Sequence, residues 1–175
     1  MSAKPRAAAS GTRTGNPIRD SALGTVAETL EEIIALNAAV WRDSLVSPTL
    51  LEIIRLRNAR TVDCVYCKAV RYEAARQDGL SEARAQMVDA GYRDTALTER
   101  EKLAIELADC WLGFPAAVNP DVAARLLKEF SAAELASMLL ALMTFNFTSR
   151  TAVSIGGMPE EPLPLMIMPV SASSR

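Results

Sequence analysis

Large apolar side chains return every three or four positions from about residue 25 onward, the spacing that lines one face of an α-helix. Between Thr25 and about Leu45, the residues Leu30, Ile33, Ile34, Val40 and Trp41 form such a stripe. Ser47-Pro48 supplies an N-cap and a first-turn proline, so a second helix is predicted from Pro48 to about Arg60, with Leu51, Ile54 and Ala59 on its apolar side. A third is predicted from near Asp63 to about Gln77, stopped by Gly79, and a short one from Ser81 to Val88, stopped at Ala90-Gly91. Thr98 with Glu101, and Ser131 with Glu134, have capping-box spacing, in which each side chain satisfies the other's end of the backbone. They open helices reaching about Trp111 and running from Ala132 to about Ser149, while Asn119-Pro120 starts another to Phe130. Strand-like β-branched runs are few, and the predicted class is all-α.

The two ends break this pattern. Residues 1–20 mix small, polar and basic side chains with almost no large apolar group, so they bury too little surface to offset ordering entropy, and a disordered tail is expected. Residues 21–157 are expected to form one helical domain, which suits a chain of 175 residues. In 158–175, four prolines and the cluster Leu163, Leu165, Met166, Ile167, Met168 predict an extended segment lying on its own domain or on a neighbouring subunit.

Charge narrows the partners. With 21 acidic against 19 basic residues and a pI near 5.3, there is no electrostatic case for nucleic acid. No apolar run follows Lys4 and Arg6 to make a secretory signal. No membrane span of ~20 apolar residues is expected either, because Leu135 to Phe147 reads as a buried core helix. Three cysteines are too few for a secreted disulfide framework, and a cytoplasmic location is expected.

The chemistry concentrates in Cys64-Val65-Tyr66-Cys67, two thiols spaced to meet as a reversible disulfide at the start of a helix. On one helix Cys64, Cys67 and Arg71 share a face, and with Asp63 as N-cap both thiols sit in the first turn, where unpaired N–H groups and the helix dipole favour thiolate. Glu52 would lie about 18 Å from Cys64 in an unbroken helix, at ~1.5 Å per residue. A break near Thr61 to Asp63, where weak helix formers meet a good cap, lets the CxxC helix fold back toward it. Other readings stand beside the redox one. The pair fits half of a zinc site shared between subunits, although the chain has no histidine and no second CxxC; it also fits two buried structural thiols. Cys110 reads as a core residue. No cofactor and no metal are expected.

The run Leu51-Glu52-Ile53-Ile54-Arg55-Leu56-Arg57, then Cys64-Val65-Tyr66-Cys67, then Gly79-Leu80-Ser81-Glu82 resembles the alkylhydroperoxidase D-like (AhpD-like) and carboxymuconolactone decarboxylase superfamily. The likeness continues through Leu97-Thr98-Glu99-Arg100-Glu101-Lys102 and a late helix bearing Phe145, Asn146 and Arg150, about residues 22–157 in all. It implies an all-helical fold that assembles as a homo-oligomer, a trimer or hexamer, with a dithiol that reduces hydroperoxides or exchanges disulfides with a partner, recharged by a thiol electron donor. Carried over position by position, Glu52 is the proton-relay carboxylate, Cys67 the peroxidatic thiol and Cys64 the resolving thiol. The relay histidine of the peroxidase branch falls at Arg71, which stays protonated and cannot pass a proton, so peroxidase turnover is expected to be weakened more than disulfide exchange. Two further readings remain: a non-catalytic redox-sensing or interaction subunit, and a decarboxylase-like protein acting on a small molecule, the poorer match because that branch generally lacks the paired cysteines.

Overall fold

The computed structural model describes residues 7, 8, 10, 11, 13, 14, 16, 18–156 and 163–170. After a short 3-10 turn at Ala22–Val26, the helices are α1 (Ala27–Arg42), α2 (Pro48–Thr61), α3 (Val65–Ala69), α4 (Glu73–Gln77), α5 (Glu82–Gln86), α6 (Glu99–Leu112), α7 (Pro120–Glu129) and α8 (Ala132–Ile155). The caps do what their side chains suggest. The Ser47 hydroxyl accepts from the Leu50 N–H ahead of Pro48, and both capping boxes, Thr98 with Glu101 and Ser131 with Glu134, are complete.

Helix α2 is the axis of the fold. Every residue from Thr49 to Leu56 is buried, as are Asn58 and Ala59, because two clusters press on it from opposite sides. One joins Leu50, Leu51 and Ile54 to Trp41, Leu103, Leu107, Leu142 and Phe145; the other joins Ile53 and Leu56 to Leu80, Val88, Tyr92 and Ile105. At roughly 1.5–3 kcal/mol per large side chain removed from water, this two-sided burial is what holds α2 in the interior despite its polar residues.

Three sequence expectations change. The single helix from Asp63 to Gln77 is interrupted: β1 (Val70–Tyr72) separates α3 from α4 and pairs in parallel with β2 (Met166–Met168), Arg71 opposite Ile167. β-branched Val70 and aromatic Tyr72 suit an extended backbone, and the apolar tail supplies the partner that a periodicity argument cannot see. The tail thus lies on its own domain over residues 163–170, while the rest of that predicted extended segment falls outside the described residues. Second, α8 runs to Ile155 instead of Ser149, closed by Gly156 at φ 79°, which puts Ser149 and Arg150 on the helix. Third, at 24 residues and mean hydropathy 1.2, α8 is long and apolar enough to cross a membrane. Its inner face, with Met138, Ala141, Leu142 and Phe145, packs on the domain instead, which fits a core helix. At the N-terminus, part of the predicted disordered tail lies outside the described residues; among those described, Thr14 donates to Asp20 and Arg19 pairs with Glu31 at 2.6 Å.

Tyr92 shows the cost of this burial. The guanidinium groups of Arg57 and Arg93 lie over its ring, 5.4 and 4.8 Å from the centroid, and its hydroxyl is buried with no partner among the described residues. Burial, reinforced by nearby Asp109, pushes the phenol up to about 12. Unfolded tyrosine ionises near ~10, so this contribution is fully present below pH ~10 and is lost as pH rises toward 12. Denaturant midpoints near pH 9 and pH 11 are expected to fall less in Tyr92→Phe than in the parent; equal falls would show that the phenol is not protected.

Candidate functional site

Two features of the chain end α2 and start α3. Thr61 and Val62 are weak helix formers, and Asp63 adopts φ 58°, a left-handed conformation that aspartate tolerates better than most residues. The Cys64 N–H reaches the Ala59 carbonyl at 3.0 Å and the Asp63 N–H the Arg60 carbonyl at 3.2 Å, a Schellman-type closure. Cys64, instead of the expected Asp63, becomes the N-cap of α3, its sulfur accepting from the Cys67 N–H at 3.2 Å. Asp63 turns outward to pair with Lys68 at 2.6 Å.

Cys64 and Cys67 are joined as a disulfide, with Cα atoms 5.2 Å apart. Their exposures differ: Cys64 is 0% exposed, whereas Cys67 is half-buried, so an outside reagent meets Cys67 first. The Cys67 sulfur accepts a hydrogen bond from the Ser149 hydroxyl on α8 at 3.3 Å.

Glu52 sits fully buried beside this corner, clamped by Arg55. Nε of Arg55 donates to Oε2 and Nη2 to Oε1, both at 2.7 Å, a bidentate pair. The remaining Arg55 donors reach the carbonyls of Cys67 at 2.8 Å and Val70 at 2.6 Å, and the Tyr72 N–H points at Glu52 Oε1 at 3.4 Å. Burial opposes the charge on Arg55, but Glu52 more than offsets it and raises the guanidinium above its ordinary value. Among the described residues, Glu52 therefore meets Cys67 through Arg55.

Arg71 leaves the helical face predicted for it, because position 71 is in β1. Its guanidinium is 5% exposed and pairs with both oxygens of Glu82 at 2.9 Å, while Nη1 donates to the carbonyls of Lys68 and Val70 at 2.7 and 2.8 Å. Burial alone pushes the Glu82 carboxyl up; hydrogen bonds from Arg71 and Gln86 outweigh it and leave the carboxyl below its usual range. Arg55 and Arg71 together thus hold the carbonyls at the end of α3. A cleft of about 420 Å³ opens beside them, its lining including Glu52, Arg71, Tyr72, Leu80, Glu82 and Ile167.

Arg55 and Ser149 received no role from sequence alone. The signal available was polarity out of place: Arg55 and Asn58 fall within an otherwise buried helix, and Ser149 stood at the predicted end of α8. Cys110 is unpaired and half-buried on α6, and no group of metal-ligating side chains occurs among the described residues.

Removing one member of the Glu52–Arg55 pair leaves a buried charge alone. Arg55→Met is expected to cost about 3–5 kcal/mol in urea unfolding, and the double variant Glu52→Gln/Arg55→Met to recover most of it. A loss below about 1 kcal/mol would show that the pair is not desolvated.

No protein-family model matches the chain. It is 31% identical over 118 residues, 67% of this chain, to uncharacterised proteins of two strains of Mycobacterium tuberculosis, and spans 41% of their length. A crystal structure from Agrobacterium tumefaciens, of a protein of unknown function described as a candidate antioxidant defence protein AhpD, superposes with a TM-score of 0.67, covering 75% of this chain and 90% of that one at 22% identity. The helical order around α2 is therefore a fold that this chain shares with that crystal structure.

Proposed function

We propose that the chain is a dithiol oxidoreductase in which Cys67 attacks and Cys64 resolves. The observation that carries this reading is the Cys64–Cys67 disulfide with one sulfur sealed and the other reachable. Starting from the dithiol, Cys67 thiolate attacks one sulfur of a partner disulfide, and one partner thiolate leaves. Cys64 thiolate then attacks the Cys67 sulfur and releases the second. The partner gains two electrons and two protons, the protein disulfide forms, and a thiol electron donor restores the dithiol by the same exchange in reverse.

Reduction of a hydroperoxide is the less favoured use of the same pair. There Cys67 takes the outer peroxide oxygen as sulfenic acid, the other oxygen leaves as an alcohol, and Cys64 displaces water to close the disulfide. The departing alkoxide needs a proton at the moment the O–O bond breaks. The chain has no histidine, the guanidinium of Arg71 is taken up by Glu82 and two backbone carbonyls, and Glu52 is held by Arg55. Disulfide exchange puts less demand on proton delivery, which supports it over peroxidase chemistry and suits a reducing compartment such as the cytosol.

With excess thiol reductant, turnover of an aromatic disulfide is expected to exceed turnover of an alkyl hydroperoxide by at least tenfold. Cys64→Ser is expected to stop at a mixed disulfide on Cys67, and Cys67→Ser to be inactive. Either variant turning over like the parent would sink the scheme, and oxidation that changes assembly size without turnover would favour a redox-sensing subunit.

The assembly we propose is a homo-oligomer closed through α8. Leu139, Leu140, Met143 and Phe147 make an exposed stripe, 37%, 57%, 48% and 47% accessible, and Leu36 of α1 is 45% accessible. Light scattering is expected to give a multiple of 18.9 kDa for the parent and a smaller particle for Leu140→Glu. A parent mass equal to one chain would remove this proposal.

A further inference from the structure

Asn58 on α2 and Asn146 and Ser149 on α8 are 0%, 8% and 3% exposed, so each polar group there needs a partner inside the protein. They are joined in one line of hydrogen bonds. Nε of Arg150 donates to Oδ1 of Asn146 at 2.9 Å, Nδ2 of Asn146 donates to Oδ1 of Asn58 at 2.7 Å, and Nδ2 of Asn58 donates to the Ser149 hydroxyl at 3.0 Å. That hydroxyl donates to the Cys67 sulfur at 3.3 Å.

The direction of the line is fixed by its outer end. Arginine only donates, so Asn146 turns its oxygen to Arg150 and its NH₂ to Asn58. Asn58 then presents its oxygen to Asn146 and its NH₂ to Ser149. The serine hydroxyl, having accepted from Asn58, directs its one proton at sulfur. Four donors point the same way, from a permanent positive charge at the exposed end of the line to the accessible cysteine. Aligned bonds polarise one another, and those to a charged acceptor are the strong ones. A disulfide sulfur is a weak acceptor and a thiolate a strong one, so the array favours the reduced, ionised state of Cys67.

We propose that Asn58, Asn146, Ser149 and Arg150 form a one-way donor array that stabilises the Cys67 thiolate. This rests on Cys67 being the attacking sulfur. Ser149 touches the reacting atom and is catalytic; Asn58, Asn146 and Arg150 are positioning residues that act through it. The array takes the electrostatic part of a thiolate-activating group without moving a proton, which matches a site better suited to exchange than to peroxide cleavage. It also accounts for three buried polar side chains that hydrophobic packing alone would not select.

The test reads the Cys67 pKa directly, from the pH dependence of its alkylation by iodoacetamide, located by peptide mass spectrometry in a Cys64→Ser background so that Cys110 does not interfere. Ser149→Ala is expected to raise that pKa by about one unit, the size of one charge-assisted hydrogen bond. Arg150→Gln is expected to raise it by a smaller amount, and Arg150→Lys to restore most of the parent value. Arg150 is exposed, so its variants remain informative even if Ser149→Ala fails to fold. A pKa unchanged by Arg150→Gln overturns the array, leaving at most a local serine bond; no shift in either variant overturns the role of Ser149 as well. Because these are differences between variants, they stay readable if the parent proves to have no turnover, an outcome that would count against the oxidoreductase reading alone.

Discussion

Burying α2 on both sides forces the polar groups it hides to find partners inside the protein. Glu52, Arg55 and Asn58 recur at three-residue spacing, so they form a seam along one side of the helix, and water cannot serve any of them. The seam decides what lies against it. Arg55 needs acceptors beyond Glu52 and takes the carbonyls at the end of α3 and in β1; Asn58 needs both a donor and an acceptor and takes Asn146 and Ser149. The disulfide helix and the second half of α8 are thus placed by polar accounting as much as by apolar packing.

The same constraint divides labour among the charged residues near the sulfurs. Arg71 is fully used by the fold: it pairs with Glu82 and holds two carbonyls of the turn. Arg55 does the equivalent on the inner side. Charge near the cysteines therefore serves to fix the backbone, while the bond that reaches a sulfur from α8 comes from a neutral hydroxyl.

Much of the helical framework was legible in the sequence because its signals are local. The serine and threonine caps, the paired glutamates and the prolines at 48 and 120 act within one turn, and the structure has a helix start at each. The cysteine pair was legible for the same reason, since three-residue spacing alone sets the reach between the sulfurs. What the sequence hid was non-local. Whether residues 70–72 remain helical depends on the tail 96 positions later, at Met166, and the partners of Asn58 are on a helix separated from it by half the chain. Predicting Arg71 on the cysteine face failed because helical periodicity was extended through a strand that only tertiary pairing reveals.

Val70 offers a single carbonyl oxygen to both Arg55 and Arg71, and the neighbouring carbonyls of Cys67 and Lys68 are each taken by one of them. A peptide corner fastened at so many points is expected to stay folded when its covalent crosslink opens, with the Cα atoms held near their 5.2 Å spacing. Reclosure is then a first-order event between preassembled neighbours, at an effective concentration no free thiol in solution can match. In the proposed scheme, the lifetime of an adduct on Cys67 is thereby set inside the protein, largely independent of how much competing thiol surrounds it.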